Sequence, residues 1–328
     1  MDLFKALVVR KSDEEVSYEI ESVEQGFLDE GTVLIKVNYS SLNYKDMLAT
    51  QAKGGVIRQY PMIPGIDLSG VVVETKDDSL QVGQEVLITG FDLGVKHTGG
   101  LAEYAQVPTE WVIPLPENLS LKDAMIYGTA GFTAAQSVRA LEGQGMSPKD
   151  NPNILVTGAT GGVGSIALAI LVKAGYNNIT AMIRKDYQEA VAKELGAHEI
   201  LWADDIGEKK ALASQNYDYV LDTVGGDVAA TLIPQIQENG SMSLCGNAAG
   251  IKLDTTVLPF ILRGVNLLGI NSVTASHEER QTIWSNLATD WNVVDNLKIN
   301  TVKLEDVSET IKSLKEGSHI GRTVVEMD

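Results

Sequence analysis

The stretch VTGATGGVGS, Val156 to Ser165, sets glycines among hydroxyl side chains at a spacing that could cradle a phosphate. It follows the apolar run ILVT and precedes a segment with helical apolar spacing. In that setting Gly161 and Gly162 would let the backbone approach a pyrophosphate at the positive end of a helix. About 20 residues past the glycines, where a dinucleotide site reads the ribose, the run ITAMIRK ends in Arg184 and Lys185. A carboxylate there would bind a 2′-hydroxyl, whereas a guanidinium and an ammonium hold a 2′-phosphate by charge-assisted hydrogen bonds. The pair predicts NADPH as cofactor, with Arg184 on the phosphate. The competing reading makes both residues solvated ends of a strand, with Asp186 taking the hydroxyl.

The loop itself fits two patterns. Ala159-x-Gly161-x-x-Gly164 is the dinucleotide fingerprint with its first glycine replaced by alanine, so Ala159, Thr160, Gly161, Gly162 and Val163 would face the pyrophosphate. Thr157-Gly158 to Gly162-x-Gly164 is the short-chain dehydrogenase pattern, whose chemistry depends on Tyr-x-x-x-Lys. None of the ten tyrosines is followed by lysine four positions on, and the loop lies mid-chain. The first pattern is preferred.

Positioning such a loop requires alternating strands and helices, and from Asn153 onward the runs NILVTG, NITAMIR, EILW, YDYVLDTVG, SMSLCG and NLLGINSV supply the strands. The fold class read here is α/β, a doubly wound, mostly parallel sheet. The helix after the glycines is expected to lay one stripe, Val163, Ala167, Ile170 and Ala174, on that sheet. Ahead of it, residues 1–120 give short strands (ALVV, TVLIKVNY, LSGVVVE, EVLIT, YAQVP, WVIPLP) punctuated by Gly and Pro. Between the two, LKDAMIYGTAGFTAAQSVRALE has helical spacing and would bridge the domains. After residue 272, EERQTIWSNLATDW reads as a helix and GRTVVEMD as a strand returning to the first domain. The division expected is 1–122, 123–272 and 273–328.

Bulk properties agree with two domains. A chain of 328 residues exceeds one ordinary core, and 44% hydrophobic with 21% charged residues is the balance of a globular protein. A formal charge of −18 argues against nucleic acid or an anionic membrane as partner, since both are held by Lys and Arg. The charged start lacks a secretory signal, and no run approaches the ~18 apolar residues of a membrane span. The single Cys245 rules out an intrachain disulfide or a multi-cysteine metal site, so a reducing cytoplasm is expected.

This order, a β-rich domain, a dinucleotide domain and a short return, resembles the medium-chain dehydrogenase/reductase superfamily. The resemblance sharpens at SSLNYKDMLA, YPMIPGIDLSG, GGLAEYA, GTAGFTAA and PFILRGVNLLGINSV, which are similar to the zinc-free branch of acrylyl-CoA reductase and quinone-oxidoreductase-like proteins. It implies a GroES-like first domain carrying most of the substrate side, a Rossmann second domain, and a homodimer acting on a small molecule. Zinc alcohol dehydrogenases of the superfamily carry a ligand Cys before a Thr/Ser-Asp pair and a ligand His in Pro-Gly-His-Glu. Here these stretches read NYKD and PGID, so no metal is expected. His97 is read as a loop residue.

Conjugate reduction suits such a site better than carbonyl reduction, because the negative charge formed on an enolate oxygen can be held by neutral donors. The proton for the α-carbon would come from a side chain or water. The resemblance places Tyr44 of NYKD beside the cofactor, as donor to the enolate or to the nicotinamide ribose, or as packing support alone. Asn43 and Asp46 share its turn, Asp46 as a structural residue. Asp67 is read as a hydrogen-bonded turn residue in the place of the zinc histidine. Thr129 and Thr133 would touch the nicotinamide or pack the helix. Gly246 and Asn247 end the fifth strand, and Ile261, Asn271 and Ser272 flank the nicotinamide by resemblance. Cys245 is read as a small core residue. Lys53, Arg58 and Arg263 are candidates for the phosphates of a CoA ester. The function expected is NADPH-dependent reduction of an activated C=C bond, acrylyl-CoA being the most specific substrate. Alternatives are quinone reduction and a non-catalytic NADPH-binding protein.

Overall fold

The computed structural model describes residues 3–327. The chain divides into two compact units. One comprises the residues up to Thr129, Val273–Ala288 and those from Lys298 onward, and the other comprises Ala130–Ser272 and Thr289–Leu297.

In the first unit, β1 (Phe4–Ser12) and β2 (Glu15–Val23) form an antiparallel hairpin. β2 escapes the sequence reading because EVSYEIESV alternates charge with apolar residues and buries only Val23, leaving no apolar run to detect. Next come β3 (Val33–Leu42), the single-turn helix α1 (Tyr44–Ala49), β4 (Asp67–Thr75), β5 (Glu85–Thr89), β6 (Tyr104–Val107) and β7 (Ile113–Pro114). The strands alternate inward residues such as Ile35, Val37, Leu68, Val86 and Ile88 into one core. α2 (Leu121–Glu142) coincides with the helix expected from spacing, but it is broken at Gly128 (φ 51°, ψ −155°). The chain crosses into the second unit two residues after that break.

All six strands expected in the second unit form. They are interleaved as β8 (Ile154–Val156), α3 (Gly162–Lys173), β9 (Ile179–Ile183), α4 (Tyr187–Glu194), β10 (Glu199–Trp202), β11 (Tyr217–Asp222), α5 (Gly226–Leu232), β12 (Ile236–Leu244), α6 (Leu258–Arg263) and β13 (Asn266–Gly269). Every pairing is parallel, in the order β10-β9-β8-β11-β12-β13. Counted from β8 this is 3-2-1-4-5-6, the doubly wound arrangement whose ligands lie off the carboxyl ends of the strands. The one-stripe expectation for α3 is corrected. Residues 164–171 are buried without interruption, whereas Val163 and Ala174 are only half-buried, so this helix is covered all round.

The return holds more than one helix and one strand. α7 (His277–Ala288) is followed by β14 (Ile299–Lys303), α8 (Val307–Lys315) and β15 (Arg322–Glu326). β15 pairs antiparallel with β3 and parallel with β14, completing a sheet in the order β14-β15-β3-β4-β5-β7, with β6 also on β3. α8 packs against α1, and its Val307 and Ile311 share a core with Met47. Val307, Ile311 and Leu314 are a readable helical stripe that the sequence reading passed over. From α7 the buried Arg280 donates to the carbonyls of Thr89 (2.7 Å), Val273 (2.9 Å) and Ala275 (3.2 Å) and lies over the Phe91 ring at 4.1 Å.

Candidate functional site

In the first unit the chemistry gathers where β3 ends. Asn43 leaves the strand in an extended conformation and starts α1, and Asp46 reaches back to its N–H at 2.8 Å. Asn followed three residues later by an acid is a capping pattern, so the sequence does encode this turn. The other Asp46 oxygen accepts the Ile66 N–H at 3.0 Å. Asp67, the first residue of β4, is fully buried and takes four donors. They are the Thr129 N–H, the Thr129 hydroxyl at 2.5 Å, the Ser41 hydroxyl at 2.6 Å and the Asn43 amide at 2.8 Å.

The positive charge that balances these acids comes from the C-terminal strand. Arg322 is 2% exposed and donates to the Ile126 carbonyl (2.8 Å), Asn43 Oδ1 (3.2 Å) and Ser41 Oγ (2.9 Å). Ser41 accepts from the guanidinium and donates to Asp67, relaying one to the other. Sequence reasoning missed Arg322, whose only mark is a charge at the head of the apolar run RTVVE. Burial pushes the Asp46 carboxyl up to about 7, and the like charge of Asp67 adds to the rise. Burial lowers the Arg322 pKa, and the charges of Asp67 and Asp46 oppose that fall.

Gly128 makes the convergence possible. A Cβ there would lie 2.4 Å from Asp67 Oδ2, 2.7 Å from Ser41 Oγ and 3.0 Å from Arg322 Nη2, and its φ lies in the left-handed range. The break it introduces in α2 turns the Thr129 N–H toward Asp67.

A metal does not fit here. Set residue by residue against Pro-Gly-His-Glu, Pro64-Gly65-Ile66-Asp67 puts Ile66 at the histidine and Asp67 at the glutamate, which corrects the assignment of Asp67 to the histidine's place. Asn43 stands at the cysteine, and its amide is spent on Asp46, Asp67 and Arg322. Ile66 offers no donor atom, and among the described residues no cluster of His, Cys, Asp or Glu could hold a metal ion. Tyr44, by contrast, is 43% exposed, and its hydroxyl is held by no other described residue. His97 is occupied by the Gln106 carbonyl at 2.7 Å and packs edge-on to Trp111.

In the second unit the strand ends are strapped together below the glycine loop. The Thr157 hydroxyl donates to Asp222 (2.8 Å) and accepts the Thr223 N–H (2.9 Å), while the other Asp222 oxygen takes the Gly225 N–H (2.7 Å). Desolvation raises the Asp222 pKa. Gly164 lies against the Gly158 carbonyl, which a Cβ would meet at 2.2 Å, and Gly158 itself has φ 57°. α3 starts at Gly161 with no side-chain cap, so the N–H groups of its first turn face outward from a glycine cradle. That is the donor set a pyrophosphate needs. Ala159 and Thr160 are buried, while Gly161, Gly162 and Val163 are half-buried. Arg184 and Lys185 follow directly on β9, with the Arg184 side chain exposed.

The remaining expected residues fall as follows. Thr129 gives its N–H and hydroxyl proton to Asp67. Thr133 is buried in α2, where its carbonyl accepts from Ser137. Gly246 sits flat against the Thr223 carbonyl, Asn247 is exposed, and Ile261 is exposed on α6. Asn271 is exposed, Ser272 is half-buried, and the Asn271 carbonyl meets Gln136 Nε2 at 3.5 Å. Burial pushes the Cys245 thiol up to about 12, and it donates to the Asp222 carbonyl. Arg263 is no free phosphate ligand, because its guanidinium is spent on the carbonyls of Pro234 and Ala213. Lys53 and Arg58 are exposed.

Residues 29–117 match the family model described as alcohol dehydrogenase GroES-like domain, and residues 162–289 match that described as zinc-binding dehydrogenase. The chain is 43% identical to the putative quinone oxidoreductase YhfP of Bacillus subtilis, over 99% of each. It is 40% identical to the acrylyl-CoA reductase AcuI of Ruegeria pomeroyi, over 99% of this chain and 100% of that one. The yhdH oxidoreductase of Salmonella enterica, solved in complex with NADP, superposes with a TM-score of 0.95 at 40% identity, covering 99% of this chain and 100% of that one. YhfP has been solved with NAD bound.

Two outcomes are expected. Gly128→Ala should lower stability by about 1 to 3 kcal/mol through backbone strain alone, with the clashes adding to it, as read by chemical denaturation; an unchanged midpoint would remove the tight approach. Asp46 holds its proton to higher pH in the folded than in the unfolded chain, so its contribution is fullest below 3.8 and is lost as pH rises through about 7. The stability difference between wild type and Asp46→Asn should therefore shrink as pH rises across that window, and a flat difference would contradict the raised pKa.

Proposed function

Because this chain belongs to the zinc-free branch of the medium-chain dehydrogenase/reductase superfamily, we propose that it reduces an activated C=C bond with NADPH. Its first unit contains a GroES-like domain, and its second has the Rossmann arrangement. The most specific substrate in this reading is acrylyl-CoA or a related enoyl thioester, and the observation that carries it is the pairing of intact phosphate donors with metal-ligand positions occupied by Asn43 and Ile66. The uncapped first turn of α3 takes the pyrophosphate, and the exposed Arg184, with Lys185 beside it, takes the 2′-phosphate.

When bound, NADPH supplies the hydride that enters at the substrate's β-carbon. The electron pair of the C=C bond then moves through the α-carbon onto the thioester oxygen. Tyr44 is the neutral donor for that oxygen, and its exposed hydroxyl is free to make the bond. The buried ion network fixes the turn that presents it, since Asn43, one residue earlier, is held by Asp46, Asp67 and Arg322. The α-carbon is protonated by a side chain or water, which restores the carbonyl and completes the addition of two hydrogens. A quinone would accept hydride with less need of this donor, so the role of Tyr44 discriminates the two substrate classes. The homodimer in this reading would use the outermost strand β13 and the exposed apolar residues of the segment leading into it, Ile251, Val257 and Leu262.

NADPH should bind at least about tenfold more tightly than NADH, as two charge-assisted contacts imply, and Arg184→Ala should remove most of that preference. Equal dissociation constants in the wild type would overturn the cofactor assignment. Tyr44→Phe should lower kcat on acrylyl-CoA or crotonyl-CoA by roughly tenfold to a hundredfold with little change in NADPH affinity, and should affect benzoquinone less. An unchanged kcat on every enoyl thioester would leave water as the proton source and Tyr44 as packing.

A further inference from the structure

Gln188, in the first turn of α4, has a side-chain amide whose orientation is settled by chemistry. Its Oε1 accepts the backbone N–H of Arg184 at 2.9 Å and of Lys185 at 3.0 Å, and a carboxamide nitrogen could accept neither. The Nε2 must therefore face the other way, where it lies 2.8 Å from Thr160 Oγ1 and donates to it. Thr160 accepts this bond and keeps its own proton, which goes to no other described residue. One amide thus joins the two loops that receive the two phosphate ends of the cofactor.

Local backbone hydrogen bonds meet at the same turn. Asp186, the residue before α4, makes no side-chain cap, and the backbone closes by Gln188 N–H to the Lys185 carbonyl at 2.9 Å and Glu189 N–H to the Asp186 carbonyl at 3.1 Å. Lys185 leans over the Tyr187 ring with its ammonium 5.8 Å from the centroid, so its direction too depends on how the turn is set. A pair of cations holds a phosphate more tightly when the backbone beneath them is already fixed, because freedom lost on binding costs free energy.

We propose that Gln188 is a positioning residue for NADPH: its amide ties the Arg184–Lys185 turn to Thr160 of the glycine loop, and cofactor selectivity depends on that tie. The inference rests on the NADPH reading above and adds a determinant outside the charged pair. Thr160 belongs to it as the other end of the tie.

The test measures dissociation constants of the full chain for NADPH, NADH and the fragment 2′,5′-ADP by calorimetry, alongside melting temperatures. Gln188→Ala should weaken NADPH and 2′,5′-ADP about tenfold and NADH less than about threefold, with the melting temperature within about 2 °C of wild type. Gln188→Glu can still accept both N–H groups but cannot donate to Thr160, and it sets a negative charge at the phosphate turn. It should lose more NADPH affinity than Gln188→Ala. Thr160→Ser, which keeps the acceptor, should retain selectivity, whereas Thr160→Val should lose it and should add little in the Gln188→Ala background. If wild type prefers NADPH and Gln188→Ala preserves that preference in full, this inference fails alone. If wild type does not distinguish the two cofactors, the NADPH reading fails and takes the inference with it.

Discussion

A guanidinium cannot be buried without acceptors, and two neighbouring carboxylates cannot be buried without donors or a counter-charge. Arg322, Asp46 and Asp67 meet both conditions at once, and much of the first unit is arranged around that match. β15 must pair with β3 to deliver Arg322, the strand–helix turn at Asn43 must form to place an amide between the acids, and α2 must break to let Thr129 reach Asp67. Removing the cation would leave two acids in a site with almost no solvent, the situation in which buried pairs cost most when broken. The network also gives this turn its cross-links, all made by protein groups. The fixed charges and hydrogen bonds hold Asn43, and Tyr44 next to it inherits that order.

The second unit solves a different problem, the close approach of backbone to backbone. Gly158 and Gly164 touch where β8 turns into α3, and Gly246 lies against the Thr223 carbonyl, distances that no side chain tolerates. Asp222 and Thr157 supply the polar tie between the neighbouring strand ends. The result is a tightly fixed turn at the start of α3, whose first N–H groups have no side-chain cap.

The strands and helix order of the second unit were legible because parallel strands buried on both faces read as continuous apolar runs. β8 (ILV) and β9 (ITAMI) come close to such runs, and the glycine loop and Arg184 sit at fixed offsets from them. β2 was illegible for the converse reason, since one of its faces is polar and its apolar residues never adjoin. The ion network was only half legible. Asn43, Asp46 and Asp67 lie in short motifs, but their partner Arg322 is separated from Asn43 by 279 positions. Long-range charge pairing leaves no periodic trace, and in Pro64-Gly65-Ile66-Asp67 the polar Asp67 is adjacent to Ile66, which holds the histidine's place. Gln188 was invisible for a related reason: nothing in its spelling distinguishes a strap from a solvated glutamine.

The first unit is assembled from three separate lengths of chain, and its sheet takes its edge-closing strands from residues 299–303 and 322–326. During synthesis β3 therefore emerges some 280 residues before β15, and its Tyr39–Leu42 end waits unpaired on that side, while β6 covers Val33–Lys36. The second unit is contiguous but for one short segment and can fold while that wait lasts. Without β15, the Tyr39–Leu42 end of β3 would lack its antiparallel neighbour and the two buried acids would lack their cation, leaving a strand edge prone to associate. Pairing of β15 with β3 thus couples the closing of the sheet to the neutralising of its buried acids, so neither is complete without the other.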